Sequence, residues 1–136
     1  MVSSFSGSEM PRERDDIAED VKALEARLVI EQARRAYERR RFRRSWIGSE
    51  ELFREPAWDI LIYLFIESWG GRKIPITEVV QEAYVPKSTA LREVHKLCKA
   101  GLTALARDPS DGRRQFVELA TDTRRRISAY FSAEMA

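Results

Sequence analysis

The sequence predicts an α+β fold that is mostly helical, and three observations carry that prediction. Residues 15–45 contain neither Gly nor Pro and are dominated by strong helix formers, the pattern of one long helix. A run opening at Pro56 and continuing to about Trp69 is apolar on nearly every side, as the central helix of a core must be. From Pro86 to Leu119 an amphipathic helix stops at Gly101 and gives way to two short apolar strands around Asp108-Pro109-Ser110-Asp111-Gly112-Arg113-Arg114. A helix followed by a basic-tipped hairpin is the layout of a winged helix-turn-helix with a wing of two or three strands.

The elements follow in order. Residues 1–14, Ser-rich and then charged, are expected as a disordered tail. Residues 15–47 form the long N-terminal helix, broken at Gly48, and residues 48–136 form the winged-helix domain. Ser49 to Phe53 can make a single turn, Gly70-Gly71 ends the helix that Pro56 opens, and Arg72 to Ile76 can add a short strand. Thr77 is the expected N-cap of a helix to about Tyr84, whose Val79 and Val80 would pack under the next helix. After the hairpin, a final helix is expected from about Asp122.

The helix opening at Pro86 has two faces. At about 100° per residue, Ala90, Leu91, Val94, Leu97 and Cys98 share one side, and Leu102 follows just past the Gly101 stop. Opposite them lie Ser88, Thr89, Arg92, Lys96 and Lys99: short hydrogen-bonding groups near the start, then cations. That order suits a helix whose first residues meet base edges and whose later cations meet phosphates, although a solvated amphipathic helix shows it too. The hairpin tip adds to it, because Arg107, Arg113 and Arg114 cluster where a plain turn needs no cations. Asp108 and Asp111 can bond turn amides or pair with Arg113.

Two features of the N-terminal helix stand apart. Ile17, Val21, Leu24 and Leu28 recur at spacings of four, three and four, a coiled-coil seam that could join two copies or pack on its own subunit. Between Arg34 and Arg44 stand seven arginines, Arg34, Arg35, Arg39, Arg40, Arg41, Arg43 and Arg44, interleaved with Tyr37 and Phe42. Such a run suits phosphate contact and stacking, or a solvated face paired with acidic neighbours.

Composition narrows the classes. The formal net charge is only +2, so a nucleic-acid surface must come from local clustering. The single cysteine, Cys98, sits on a core face and is expected as a buried thiol. The start has no apolar signal core, and the most hydrophobic stretch, Ala57 to Ile66, includes Asp59 and is too short for a bilayer; a cytoplasmic, non-membrane protein is expected. One His and one Cys are too few for a zinc site, Gly70-Gly71-Arg72-Lys73 lacks P-loop spacing, and no nucleophile elbow surrounds Ser110. Neither catalysis, nor a metal, nor a cofactor is expected. Trp46, Trp58, Tyr63 and Trp69 read as core packing rather than a pocket lining.

The run Glu78 to Leu119 carries Ser88-Thr89, Leu97, Ala100-Gly101-Leu102, Arg107-Asp108-Pro109, Asp111-x-Arg113 and Val117-x-Leu119. In these it resembles the MarR family of bacterial transcription factors. The resemblance implies a homodimer on a pseudo-palindromic operator, with the helix from Pro86 in the major groove and Arg113 in the wing. Tyr84, Pro86 and Ala120 depart from the family pattern, and Thr121 to Ala136 leaves room for one helix where the family has a longer dimerisation arm.

The sequence therefore reads as a sequence-specific regulator of double-stranded DNA. Lys87, Ser88, Thr89 and Arg92 would stand nearest the bases, and Lys96, Arg107, Arg113 and Arg114 would hold phosphates or the minor groove. The dimer would form through the N-terminal helix, helped by Ile127, Tyr130 and Phe131. A winged-helix protein-interaction module, and a non-specific chromosome-binding protein acting through the arginine run, are the alternatives.

Overall fold

Helix α1 runs from Arg14 to Ile47 in a computed structural model that describes residues 14–47 and 55–135. The N-terminal tail, the Gly48 break and the Ser49–Phe53 turn lie outside the described residues. So do the side chains of Arg43, Arg44 and Trp46. Among the described residues α1 is followed by α2 (Pro56–Glu67), β1 (Ile74–Pro75), α3 (Ile76–Glu82), α4 (Lys87–Lys99), β2 (Thr103–Asp108), β3 (Asp111–Leu119) and α5 (Thr121–Glu134). The architecture is α+β and mostly helical, as the sequence predicts.

Helix α2 is the centre of the core. Pro56 sits in its first turn, where its fixed φ suits a helix start and its missing N–H would be unpaired anyway. Ile60, Ile62, Leu64, Phe65 and Ile66 are buried. The helix stops at Glu67, two residues short of the Trp69 expected from the apolar pattern. The Ser68 hydroxyl donates to the Leu64 carbonyl and its amide caps the last turn. Trp69 itself is 47% exposed, so it does not belong to the core as expected. Trp58 does contribute, with its ring stacked 6.0 Å from that of Phe131.

Around α2 pack Val29, Ile30 and Ala33 from α1, Val79 from α3, Val94 and Leu97 from α4, and Ile127 and Phe131 from α5. Ile127 and Phe131 are thereby committed to their own subunit, contrary to the expectation that they help a dimer; only Tyr130 of that trio is exposed. Arg40 of α1 reaches Asp59 of α2 and lies 3.3 Å from Glu55, so part of the arginine run fastens α1 to the body rather than facing outward.

The three strands form one antiparallel sheet in the order β1-β3-β2. Ile74 pairs with Val117 and Pro75 with Phe116, and Pro75 is tolerated because β1 is an edge strand. Since Pro75 leads straight into α3, it takes the N-cap place that the sequence suggested for Thr77, which falls in the first turn instead. Strand β2 pairs with β3 from Thr103–Leu119 to Arg107–Gln115, and a register irregularity between Arg107 and Asp108 marks the approach to the tip.

Candidate nucleic-acid interface

Helix α4 begins at Lys87 with Pro86 as its N-cap residue, one position later than the sequence suggested. Its apolar face enters the body: Ala90, Val94 and Leu97 are buried, Leu91 and Cys98 half-buried. Cys98 is thus less enclosed than expected, with its sulfur 3.2 Å from the Thr103 hydroxyl. The helix ends as its sequence dictates. Gly101 takes φ +78°, the Leu102 amide donates to the Leu97 carbonyl at 3.0 Å, and the Gly101 amide to Cys98 at 3.0 Å. This paired closure needs a left-handed residue at Gly101, and it turns the chain directly into β2.

The opposite face of α4 is open. Lys87, Ser88, Arg92, Lys96 and Lys99 are exposed, while Thr89 is half-buried at the margin. His95 belongs to the same exposed surface, about 20° from Ser88 and about 40° from Lys99 in angular position, and was not singled out in the sequence. Its position on the helix was the available signal. Lys96, itself exposed, lies 3.6 Å from the half-buried Glu93.

The wing is held stiff at its tip. The Asp108 carboxylate accepts from the Ser110 hydroxyl at 2.7 Å and from the Ser110 amide at 2.8 Å. These two bonds, the hydroxyl first, hold its carboxyl below the usual carboxylate range. Asp111 accepts from the Arg113 amide at 3.1 Å and stands 3.6 Å from the Arg113 guanidinium. Successive side chains on a strand point to opposite faces, so Arg113 and Arg114 straddle the hairpin. Arg114 lies over the Phe116 ring, 5.4 Å from its centroid, while the Arg113 side chain is 95% exposed. Arg107, opposite Gln115, is also exposed. The wing thus presents three exposed cations around a hydrogen-bonded tip.

A second polar cluster links α1 to the helix-turn-helix. Arg41 bonds to the Tyr84 hydroxyl, packs 4.6 Å over the Tyr84 ring and lies 3.4 Å from Glu82. Tyr84 stands in the turn between α3 and α4, so one arginine of α1 grips that turn. Tyr63 of α2 donates to Glu78 of α3, and Arg72 donates to the same carboxylate at 2.6 and 3.0 Å. Burial first, and then the Glu78 contact, holds the Tyr63 phenol well above its ordinary range. The Arg72 hydrogen bond, joined by that from Tyr63, holds Glu78 below the usual carboxylate range.

A helix-turn-helix of α3 and α4, a three-stranded wing and a flanking long helix together define a winged helix-turn-helix fold. Solved structures share it. AF1382 from Archaeoglobus fulgidus superposes with a TM-score of 0.51 at 22% identity, over 63% of this chain and 91% of that one. The heme sensor protein PefR from Streptococcus agalactiae, in complex with heme, superposes with a TM-score of 0.50 at 18% identity, over 83% of this chain and 74% of that one. A probable transcriptional regulator from Pseudomonas aeruginosa aligns at 23% identity with a TM-score of 0.49, over 79% of this chain and 75% of that one. No family model matches the chain, and no curated protein matches it in sequence. The first two likenesses, at 22% and 18% identity, establish the winged helix-turn-helix fold alone. No described helix is long and apolar enough to cross a membrane.

Proposed function

We propose that this chain is a MarR-like transcriptional regulator that binds double-stranded DNA sequence-specifically as a homodimer in the cytoplasm. The observation that carries the proposal is the polarity of α4. Its apolar side is fixed in the core, while the outer side carries Lys87, Ser88 and the half-buried Thr89 at the start and then Arg92, Lys96 and Lys99 along its length. In a major groove this order sets Lys87, Ser88, Thr89 and Arg92 against base edges and leaves Lys96 at the phosphates. Arg92 can engage the O6 and N7 of a guanine through two donors, whereas Ser88 and Thr89 serve either base type. The straddled pair Arg113 and Arg114, with Arg107, then reaches the flanking backbone or minor groove.

The alternatives fare less well. A non-specific binder acting through the arginine run would need those guanidinium groups to face outward. Two of the seven, Arg40 and Arg41, are instead engaged with Asp59, Glu55, Glu82 and Tyr84, which leaves Arg34, Arg35 and Arg39 as the exposed part of the run among the described side chains. A protein-docking module needs no cluster of exposed cations on both α4 and the wing. Selection of bound sequences from a random duplex pool tests the proposal. Enrichment of an inverted repeat is the expected result, and recovery of an unenriched pool would overturn it.

A further inference from the structure

The N-terminal half of α1 carries an apolar stripe that its own subunit leaves uncovered. Ile17, Val21, Leu24 and Leu28 are exposed by 49%, 49%, 56% and 49%. At about 100° per residue, the stripe points roughly 160° away from Val29, Ile30 and Ala33, which are buried against the body. One alternative left open by the sequence, that the stripe packs on its own subunit, is therefore closed. Because the body already anchors the C-terminal half of α1, pairing the stripe requires little further ordering of backbone. Two heptads, too few for a free coiled coil, are sufficient in that setting.

We propose that this stripe packs against the same stripe of a second copy in antiparallel orientation, with Ile17 facing the partner's Leu28 and Val21 facing the partner's Leu24. The inference rests on the homodimer reading above and adds its orientation and register. Charge decides between the two possible orientations. In the antiparallel register the next seam position outward sets Arg14 against the partner's Glu31 at both ends. The flanking Asp20 falls beside the partner's Arg27. A parallel pair in register would instead face Arg14 with the partner's Arg14, Glu31 with the partner's Glu31, and Asp20 with the partner's Glu25. A lipid surface fits poorly, since Asp15, Asp16, Glu19, Asp20 and Glu25 give the polar side an acidic character.

The register also sets the spacing of the bodies. The two-fold axis falls between Lys22 and Ala23, whereas the body-contacting segment of α1 is centred near residue 35. At 1.5 Å per residue, the two contact segments are centred about 35–40 Å apart along the seam. That is close to the ~34 Å between successive major grooves on one side of a duplex.

Cross-linking of the full chain tests this, in a Cys98→Ser background. Ile17→Cys mixed with a differently tagged Leu28→Cys should yield a covalent heterodimer on oxidation. Leu28→Cys alone should yield little, because the two positions lie about 16 Å apart along an antiparallel seam. Preferential cross-linking of Leu28→Cys with itself would overturn the orientation while leaving DNA binding untouched. In sedimentation, Arg14→Glu and Glu31→Arg should each weaken self-association by about three- to tenfold, and the double exchange should restore it to within about twofold. Failure of that rescue would also overturn the register. An intact chain that stays monomeric at high concentration removes this proposal. If that monomer still selects a DNA sequence, the regulatory function stands without it, and if it selects none, both fall.

Discussion

Removing the two arginines at the wing tip should change how DNA affinity responds to salt by an amount the structure sets. On the proposed reading each subunit turns the exposed cations Lys96, Arg107, Arg113 and Arg114 to phosphate, or eight in the proposed dimer. At about 0.9 per contact, log affinity should fall with log salt at a slope near −7, so raising salt from about 50 to 200 mM should weaken binding by roughly ten-thousandfold. Arg113→Ala with Arg114→Ala removes four of the eight. The slope should then fall to about −3.6, and the same rise in salt should cost only about a hundredfold.

Both side chains are exposed and tip rigidity rests on Asp108 and Ser110, so the variant should keep its fold and melting temperature. Titration of one labelled duplex at four or five salt concentrations measures both slopes. A wild-type slope shallower than about −2, or a double variant that retains the wild-type slope, would refute the assignment of the wing to phosphate.

Four further outcomes follow from the same geometry. Arg92→Ala and Thr89→Ala should relax base preference at particular operator positions by about 1–3 kcal/mol, measured on single-base operator variants, and equal loss on every sequence would remove them from the base-reading set. Gly101→Ala has open space for its Cβ but a φ of +78°, so it should cost about 1–2 kcal/mol in urea unfolding through backbone strain alone. Phe131→Ala, which empties a site shared with Trp58 and Phe65, should cost about 3–5 kcal/mol. Glu78 is held below its unfolded value near 4.3, so its contribution to stability is present above that pH and lost as pH falls through the lower native value; Glu78→Gln should flatten this acid limb of a stability-against-pH curve.

The α4-to-wing region was legible in the sequence because local chemistry determines it. Gly101 needs a left-handed conformation, Asp108 and Asp111 bond turn amides, and the apolar spacing of Ala90, Val94 and Leu97 has one helical solution. Boundaries were harder where tertiary pairing overrides local preference. Thr77 is a good N-cap by type, yet the pairing of Ile74 and Pro75 with β3 starts the helix earlier. The arginine run was ambiguous for a similar reason: nothing near Arg40 or Arg41 in sequence reveals that Asp59, Glu82 and Tyr84 stand against them in space. Likewise, Ile127 and Phe131 carry no local mark telling core from interface.

Those long-range contacts give α1 its place in the molecule. Its outer stripe of Ile17, Val21, Leu24 and Leu28 is uncovered, its inner residues Val29, Ile30 and Ala33 seat it on the core, and Arg41 near its far end grips Tyr84 in the turn before α4. A single rigid helix therefore connects the proposed dimer seam with the element proposed to read DNA. Any change in the angle at which two α1 helices cross would be carried to the turn preceding α4, because the Arg41–Tyr84 contact lies at the end of a lever about 30 Å long from the seam's centre. In the proposed dimer the spacing between the two α4 helices is then set by how α1 seats on the body as much as by the seam, and the Arg40–Asp59 and Arg41–Glu82 pairs add to the apolar contacts of Val29, Ile30 and Ala33 that fix that seating.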